Sequence, residues 1–296
     1  MQIADQVYLL AQEQNDSALM IGANRALAVP LYYLGDFDAA RRRAIRGVEI
    51  WRSEGVQSPV EEVMAPAVVC LLYEALSDWH LGEIDSSHDS MEAAISLSKE
   101  LNDMHALTHS LWNAGFLAHF ERDPIQAERC ASELIELSTR QNFASWLAGA
   151  KVFRGWARSV SGDTAEGIAW IEHGIENMRA AGWVLCLPYA LSIKAEALHL
   201  ADRASEALEI LREAEALAET RSERHWRAEM HRLRAVFLTA LDADEAQIEA
   251  SICESIRIAK EQKSVSLEKR AEATYAEYRR QKASGSGGRG IRLPLW

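Results

Sequence analysis

Between Phe143 and Val160 apolar residues recur at helical spacing, and then Ser161-Gly162-Asp163-Thr164 breaks the pattern. A second run, from about Ala165 to Ala180, sets Ile168, Ile171, Ile175 and Met178 on one face before Ala181-Gly182 ends it. Glycine closes the first helix because it enters the left-handed region without a side-chain clash. Asp or Thr opens the second by capping free backbone N–H groups. The same grammar recurs at Leu34-Gly35-Asp36-Phe37, Leu81-Gly82-Glu83-Ile84, Glu121-Arg122-Asp123-Pro124 and Ala201-Asp202-Arg203-Ala204, and more weakly at Leu241-Asp242-Ala243-Asp244. Pro124 fits because it enters the first helical turn. The pattern predicts about fourteen helices joined by short turns.

Small residues mark where those helices press together. One series, Ala40, Ser87, Ala127, Gly167, Ala207 and Ala250, has gaps of 47, 40, 40, 40 and 43. A second, Ala28, Ala75, Gly115, Gly155 and Ala195, leads it by twelve residues. Fixed offsets repeated about every forty residues mean one helical hairpin copied along the chain. A single hairpin buries too little to stand alone, so the repeats are expected to fold as one stack, a repeat domain over 1–282. Counting back from Ala40, the chain begins in the second helix of a repeat. Its apolar face (Ile3, Val7, Leu10) then lacks a hairpin partner, which predicts self-association through this N-terminal edge or a covering segment. At the other end, Leu267 to Gln281 reads as a charged capping helix, followed by a flexible Gly/Ser/Arg tail over 283–296.

Composition narrows the class. Apolar residues make up 48% and charged residues 26%, with only six prolines and sixteen glycines, as expected of an all-α chain. A net charge of −12 argues against a nucleic-acid-binding surface. The arginines and lysines of the tail (Arg279, Arg280, Lys282, Arg289, Arg292) read as a solvated charged segment. Cys70, Cys130, Cys186 and Cys253 are far apart in sequence, which predicts buried, reduced thiols. The N-terminus carries Asp5 and Glu13 and no signal-peptide pattern, and no apolar run is long enough to span a membrane. A cytoplasmic protein is expected.

The Leu-Gly-Asp-Phe-x-x-Ala turn at 34–40, with its flanking small residues, resembles the turn of a tetratricopeptide repeat. The longer period resembles the extended repeats of large bacterial regulators. Arg154-Gly-Trp-Ala157, Gly167 through Gly174, Leu187-Pro-Tyr-Ala-Leu191, Trp226-x-Ala-Glu229-Met-x-Arg-Leu-Arg234 and Lys263-Ser-x-Ser-Leu-Glu-x-Arg-Ala271 follow in order. They resemble the C-terminal repeat region of bacterial class III adenylate/guanylate cyclases that carry a central ATPase module. The Gly-Gly-Arg-Gly-Ile-Arg-Leu-Pro-Leu-Trp ending is similar to rhizobial-type members. The resemblance implies a right-handed α-solenoid and a setting in cyclase- or ATPase-linked signalling. It does not bring the catalytic domains, for which this chain has no sequence.

Candidate chemistry is sparse. No phosphate-binding loop is present. His105 and His109 share a helix face but lack a third ligand nearby, so no metal is expected. No catalytic residue or cofactor is assigned. The sharper feature is the stripe His105, His109, Trp112, Phe116 and His119, spaced i, i+4, i+7, i+11 and i+14. By the tetratricopeptide resemblance, first helices line a concave groove, to which Trp156, Tyr189, Glu196, His199 and Arg232 would also contribute. Aromatic rings beside His, Glu and Arg suit a protein or peptide segment. The alternative is that the aromatics form inter-repeat core and the histidines solvated rims. The leading expectation is a non-enzymatic interaction or regulatory module. Its alternatives are a small-molecule sensor domain of a repeat-bearing transcriptional regulator, or a detached, catalytically silent part of an adenylate cyclase.

Overall fold

Helix after helix ends in the same turn. The N–H of Asp36, Glu83, Asp123, Asp163, Arg203 and Ala243 each donates to the carbonyl five residues earlier, at 2.9–3.0 Å. The residue just before each donor is left-handed at Gly35, Gly82, Arg122, Gly162, Asp202 and Asp242. Asp36 and Asp123 then cap the next helix, Asp36 accepting from the Ala39 N–H and Asp123 from those of Ile125 and Gln126. Asp163, in the fourth repeat, makes no such side-chain bond.

The computed structural model describes residues 2–54, 64–284 and 291–296, with side chains from Gln6 onward. Among these residues fourteen helices form: α1 Gln2–Gln14, α2 Ser17–Tyr33, α3 Phe37–Glu54, α4 Pro66–Leu81, α5 Ile84–Glu100, α6 Met104–Phe120, α7 Pro124–Gln141, α8 Ala144–Val160, α9 Thr164–Ala180, α10 Leu187–Leu200, α11 Ala204–Arg221, α12 Arg227–Ala240, α13 Glu245–Glu261 and α14 Val265–Ala283. Among the described residues there is no strand, and the architecture is an all-α helical repeat. The last helix is longer than the expected 267–281 at both ends.

The small-residue series are the contact points within hairpins. A Cβ placed on Gly155 would lie 2.5 Å from the Gly167 carbonyl oxygen, and one on Gly167 would lie 2.5 Å from the Gly155 carbonyl. Ala28, Ala40, Ala75, Ser87, Ala127, Ala195 and Ala207 are fully buried. The Ser87 hydroxyl goes one step further and donates to the Ala75 carbonyl at 2.7 Å. Ala250 breaks the series, because it is exposed. The turn before α13 spans 241–244, one residue longer than the 201–203 turn before α11. The register therefore shifts, and Ile248 occupies the inward position instead.

The chain divides into two compact units, residues 1–117 and 118–296. In the first unit Phe37 stacks on His80 with ring centroids 3.7 Å apart, and Arg41 pairs with the buried Asp78 carboxylate. On α1, Val7 and Leu10 are exposed, as is Leu9, while the Ile3 side chain lies outside the described residues. In the second unit Phe120 stacks on Trp226 at 4.7 Å. Cys70, Cys130 and Cys186 are buried thiols, but Cys253 on α13 is exposed, contrary to expectation. Among the described residues no helix is long and apolar enough to cross a membrane.

Candidate functional site

Within the second unit, first helices of successive hairpins bring charged side chains together in the interior. Glu229 and Arg232 lie three residues apart on α12, so they share one face. Tyr189 and Glu196, seven apart, do the same on α10. His119 comes from the last turn of α6, Arg122 from the turn that follows, Trp156 from α8, and Arg270 and Thr274 from α14.

Arg122 is the centre of the arrangement. Its guanidinium donates to Glu196 Oε2 and to Glu229 Oε1, each at 2.5 Å. Arg232 grips Glu229 with two hydrogen bonds, at 3.0 and 2.7 Å, a fork that suits a carboxylate. Arg270 adds a third cation 3.3 Å from Glu229. Trp156 donates its indole N–H to Glu196 Oε2 at 3.1 Å. His119 Nδ1 shares a 2.6 Å hydrogen bond with the Tyr189 hydroxyl, and its Nε2 lies 3.4 Å from Glu196 Oε1.

The protonation states follow from burial set against pairing. Burial alone raises the Glu196 carboxyl, but the Arg122 guanidinium and His119 outweigh it and hold the group at about 2. Burial opposes ionisation of Glu229 as well, and Arg232, Arg270 and Arg122 together bring it well below the usual carboxylate range. Burial lowers His119, so the imidazole is neutral. Arg270 is lowered to about 10 by burial and still carries its charge at neutral pH. Three guanidinium groups therefore face two carboxylates. The excess positive charge turns to backbone carbonyl dipoles: Arg270 donates to the Phe120 carbonyl, and Arg232 to that of Leu295 at 2.6 Å. Both acids are ionised; Glu229 accepts at both oxygens, whereas the donors to Glu196 converge on its Oε2 and its Oε1 has only His119 Nε2 nearby, at 3.4 Å.

The Leu295 carbonyl belongs to the tail. Ile291, Leu293 and Leu295 are buried, while Arg292, Pro294 and Trp296 face outward. Gln281 on α14 donates to the Arg292 carbonyl at 2.8 Å and accepts from the Arg292 N–H at 2.9 Å. Of the expected flexible tail over 283–296, Ala283 ends α14 and residues 291–296 are docked. Its alternate apolar side chains give it a face to bury. Residues 285–290 lie outside the described residues.

The candidate groove residues fall into two groups. His109, Trp112 and Phe116 are buried in the first unit, where Trp112 and Phe116 make an edge contact at 5.1 Å. Burial lowers His109, next to Arg25, to about 4. In the second unit His119, Trp156, Tyr189, Glu196 and Arg232 come together, all buried, and His199 lies partly buried against Phe237 at 5.0 Å. They form an ion-paired interior, because neutralising the acids with arginine allows the first helices to close over them. The aromatics are core, as one of the two expectations had it, but His119 is buried with them where that expectation placed a solvated rim. Glu229 shows in the sequence only as part of the Trp226–Arg234 motif, and Arg122, Arg270 and Gln281 are not among the candidate site residues. The signal for Arg122 was its place at the glycine position of a recurring turn. Among the described residues no three His, Cys, Asp or Glu side chains are grouped so as to hold a metal ion.

No family model matches the chain. It is similar to an uncharacterised protein of Rhizobium meliloti (strain 1021), 27% identical over 212 residues, which make up 71% of this chain. The match covers only 21% of that relative, so the chain spans a small part of its length.

Proposed function

We propose that this chain is a non-enzymatic interaction module that binds a partner segment on its first-helix faces, within cyclase- or ATPase-linked bacterial signalling. The observation that carries the binding part is the docked hexapeptide 291–296: the second unit already holds an extended segment by its main chain, through Gln281 and Arg232. The signalling context rests on the sequence resemblance of the repeat region. A match to about a fifth of a longer rhizobial protein is what a module shared between larger polypeptides would give.

The test mixes the purified chain with the cyclase–ATPase proteins of its own bacterium, reading cyclic-nucleotide output and hydrogen exchange in α12 and α14. The expected result is altered output with slowed exchange, and no cyclic nucleotide from the chain alone. Unchanged output and exchange across all such proteins would remove the signalling reading. Turnover by the chain alone would remove the non-enzymatic one.

A sensor reading has one observation behind it, a cavity of about 400 Å³ between α11 and α12 lined by Arg212, Glu215, Arg227, Met230, His231 and Arg234. Its charges are largely spent on each other, since Arg234 pairs with Glu215 and Arg227 with Glu219. The partner-segment reading is therefore preferred.

A further inference from the structure

Residues 291–296 have the form of a bound ligand. Their exposure alternates strictly, Ile291, Leu293 and Leu295 inward and Arg292, Pro294 and Trp296 outward, the period of an extended segment with one packed face. What holds the main chain is a set of side chains. The Gln281 amide satisfies both the N–H and the C=O of Arg292, the pair of bonds a neighbouring strand would make, and Arg232 takes the Leu295 carbonyl. Burial lowers His199 on α10, and the Arg292 charge adds to that in part. Such contacts read the backbone of whatever lies there and leave its outward side chains free. Main-chain bonds plus sites for alternate side chains are the chemistry of extended-peptide recognition.

The segment that connects this peptide to α14 is Gly285-Ser-Gly-Gly-Arg-Gly290, which has no bulky apolar side chain to anchor it. The contacts described for the hexapeptide are thus its own. Arg232 ties them to the interior, because its guanidinium binds Glu229 and the Leu295 carbonyl at once.

We propose that residues 291–296 are a ligand in cis. They fill a site on α12 and α14, beside α10, that recognises an extended segment with branched apolar side chains at three alternate positions, and a partner segment of that pattern binds by displacing them. This deepens the partner-segment reading above and rests on it. A tethered ligand competes at an effective concentration on the order of millimolar, so the site is self-occupied until a stronger segment arrives.

The test uses the full chain and a labelled peptide, Gly-Ile-Arg-Leu-Pro-Leu-Trp, followed by fluorescence anisotropy. Leu293→Asp with Leu295→Asp should release the tail without changing the helical signal. That variant should bind the peptide at least tenfold more tightly than the unsubstituted chain does. A peptide carrying the same two aspartates should not bind, and adding Gln281→Ala should weaken binding about tenfold. A folded, released variant that ignores the peptide would overturn the proposal and make the hexapeptide a fixed strap.

If the double variant fails to fold, a protease site placed within 285–290 of the otherwise unchanged chain serves instead. After cleavage, exchange of the hexapeptide for the labelled peptide supports the proposal, and a peptide that never exchanges refutes it. Peptide binding without any effect on a cyclase–ATPase protein would remove the signalling context and leave this inference standing. An effect on such a protein without peptide binding would do the reverse.

Discussion

Arg122 stands, left-handed, where Gly35, Gly82 and Gly162 stand in other turns. For a residue with a side chain that conformation costs on the order of 1–2 kcal/mol, so the ion pairs it makes must outweigh the strain. Arg122→Gly should relax the backbone yet lower stability by about 3–5 kcal/mol, because Glu196 and Glu229 lose their shared counter-ion in the interior. The loss should depend on pH. Pairing depresses Glu196 from 4.5 to about 2, so its contribution is complete above about 4.5 and disappears as pH falls toward 2. Denaturant melts of both proteins at pH 7 and pH 3 should show the gap narrowing in acid. Glu223 behaves oppositely. It is 4% exposed, accepts from the Cys186 N–H at 3.0 Å, and is raised by burial from 4.5 to about 7. The folded state then keeps a proton that the unfolded chain has released, and stability falls as pH rises from 4.5 through 7. Glu223→Gln keeps an acceptor and removes the charge, so it should stabilise the protein by roughly 1–3 kcal/mol at pH 8 and hardly at all at pH 4. Equal effects at both pH values would show that burial of the charge is not what matters.

At the scale of helices, the hairpins were legible because close packing leaves a mark on residue size. Gly155→Leu should cost about 1–3 kcal/mol or more, since even a Cβ there meets the Gly167 carbonyl and the Ile171 backbone. Ala250→Leu, by contrast, should stay within about 0.5 kcal/mol, its position being exposed. Thermal melts of the two variants decide whether the register around α13 is right. The charged interior was not legible for a different reason. Glu229 and Arg232 three apart look like any surface pair on a helix, and what makes them interior is Arg122, 107 residues from Glu229 in sequence. Nothing local announces a partner at that distance. The tail was misread because its arginines and glycines dominate its composition. Three alternate apolar residues are too short a run to count as a strand before the surface that receives them is known.

For the molecule as a whole, the same reasoning extends to the exposed Val7, Leu9 and Leu10 on α1. We expect these exposed apolar side chains to drive association, so that light scattering reports a mass rising with concentration. Leu9→Glu with Leu10→Glu should hold the protein monomeric, and a wild-type mass independent of concentration would reject the expectation.

Repeat arrays ordinarily change length through evolution by gaining or losing whole hairpins, because each repeat depends only on its neighbours. The ion network of the second unit removes that freedom. Its carboxylates come from α10 and α12, and its guanidiniums from the turn after α6, from α12 and from α14. Deleting the α10–α11 hairpin would leave three cations facing one acid, and deleting α14 would strip one cation from Glu229 and remove the Gln281 that holds the tail. The number of hairpins between α6 and α14 is therefore tied to the ion network, and relatives that keep these charged residues should differ by substitution far more readily than by repeat count in this stretch.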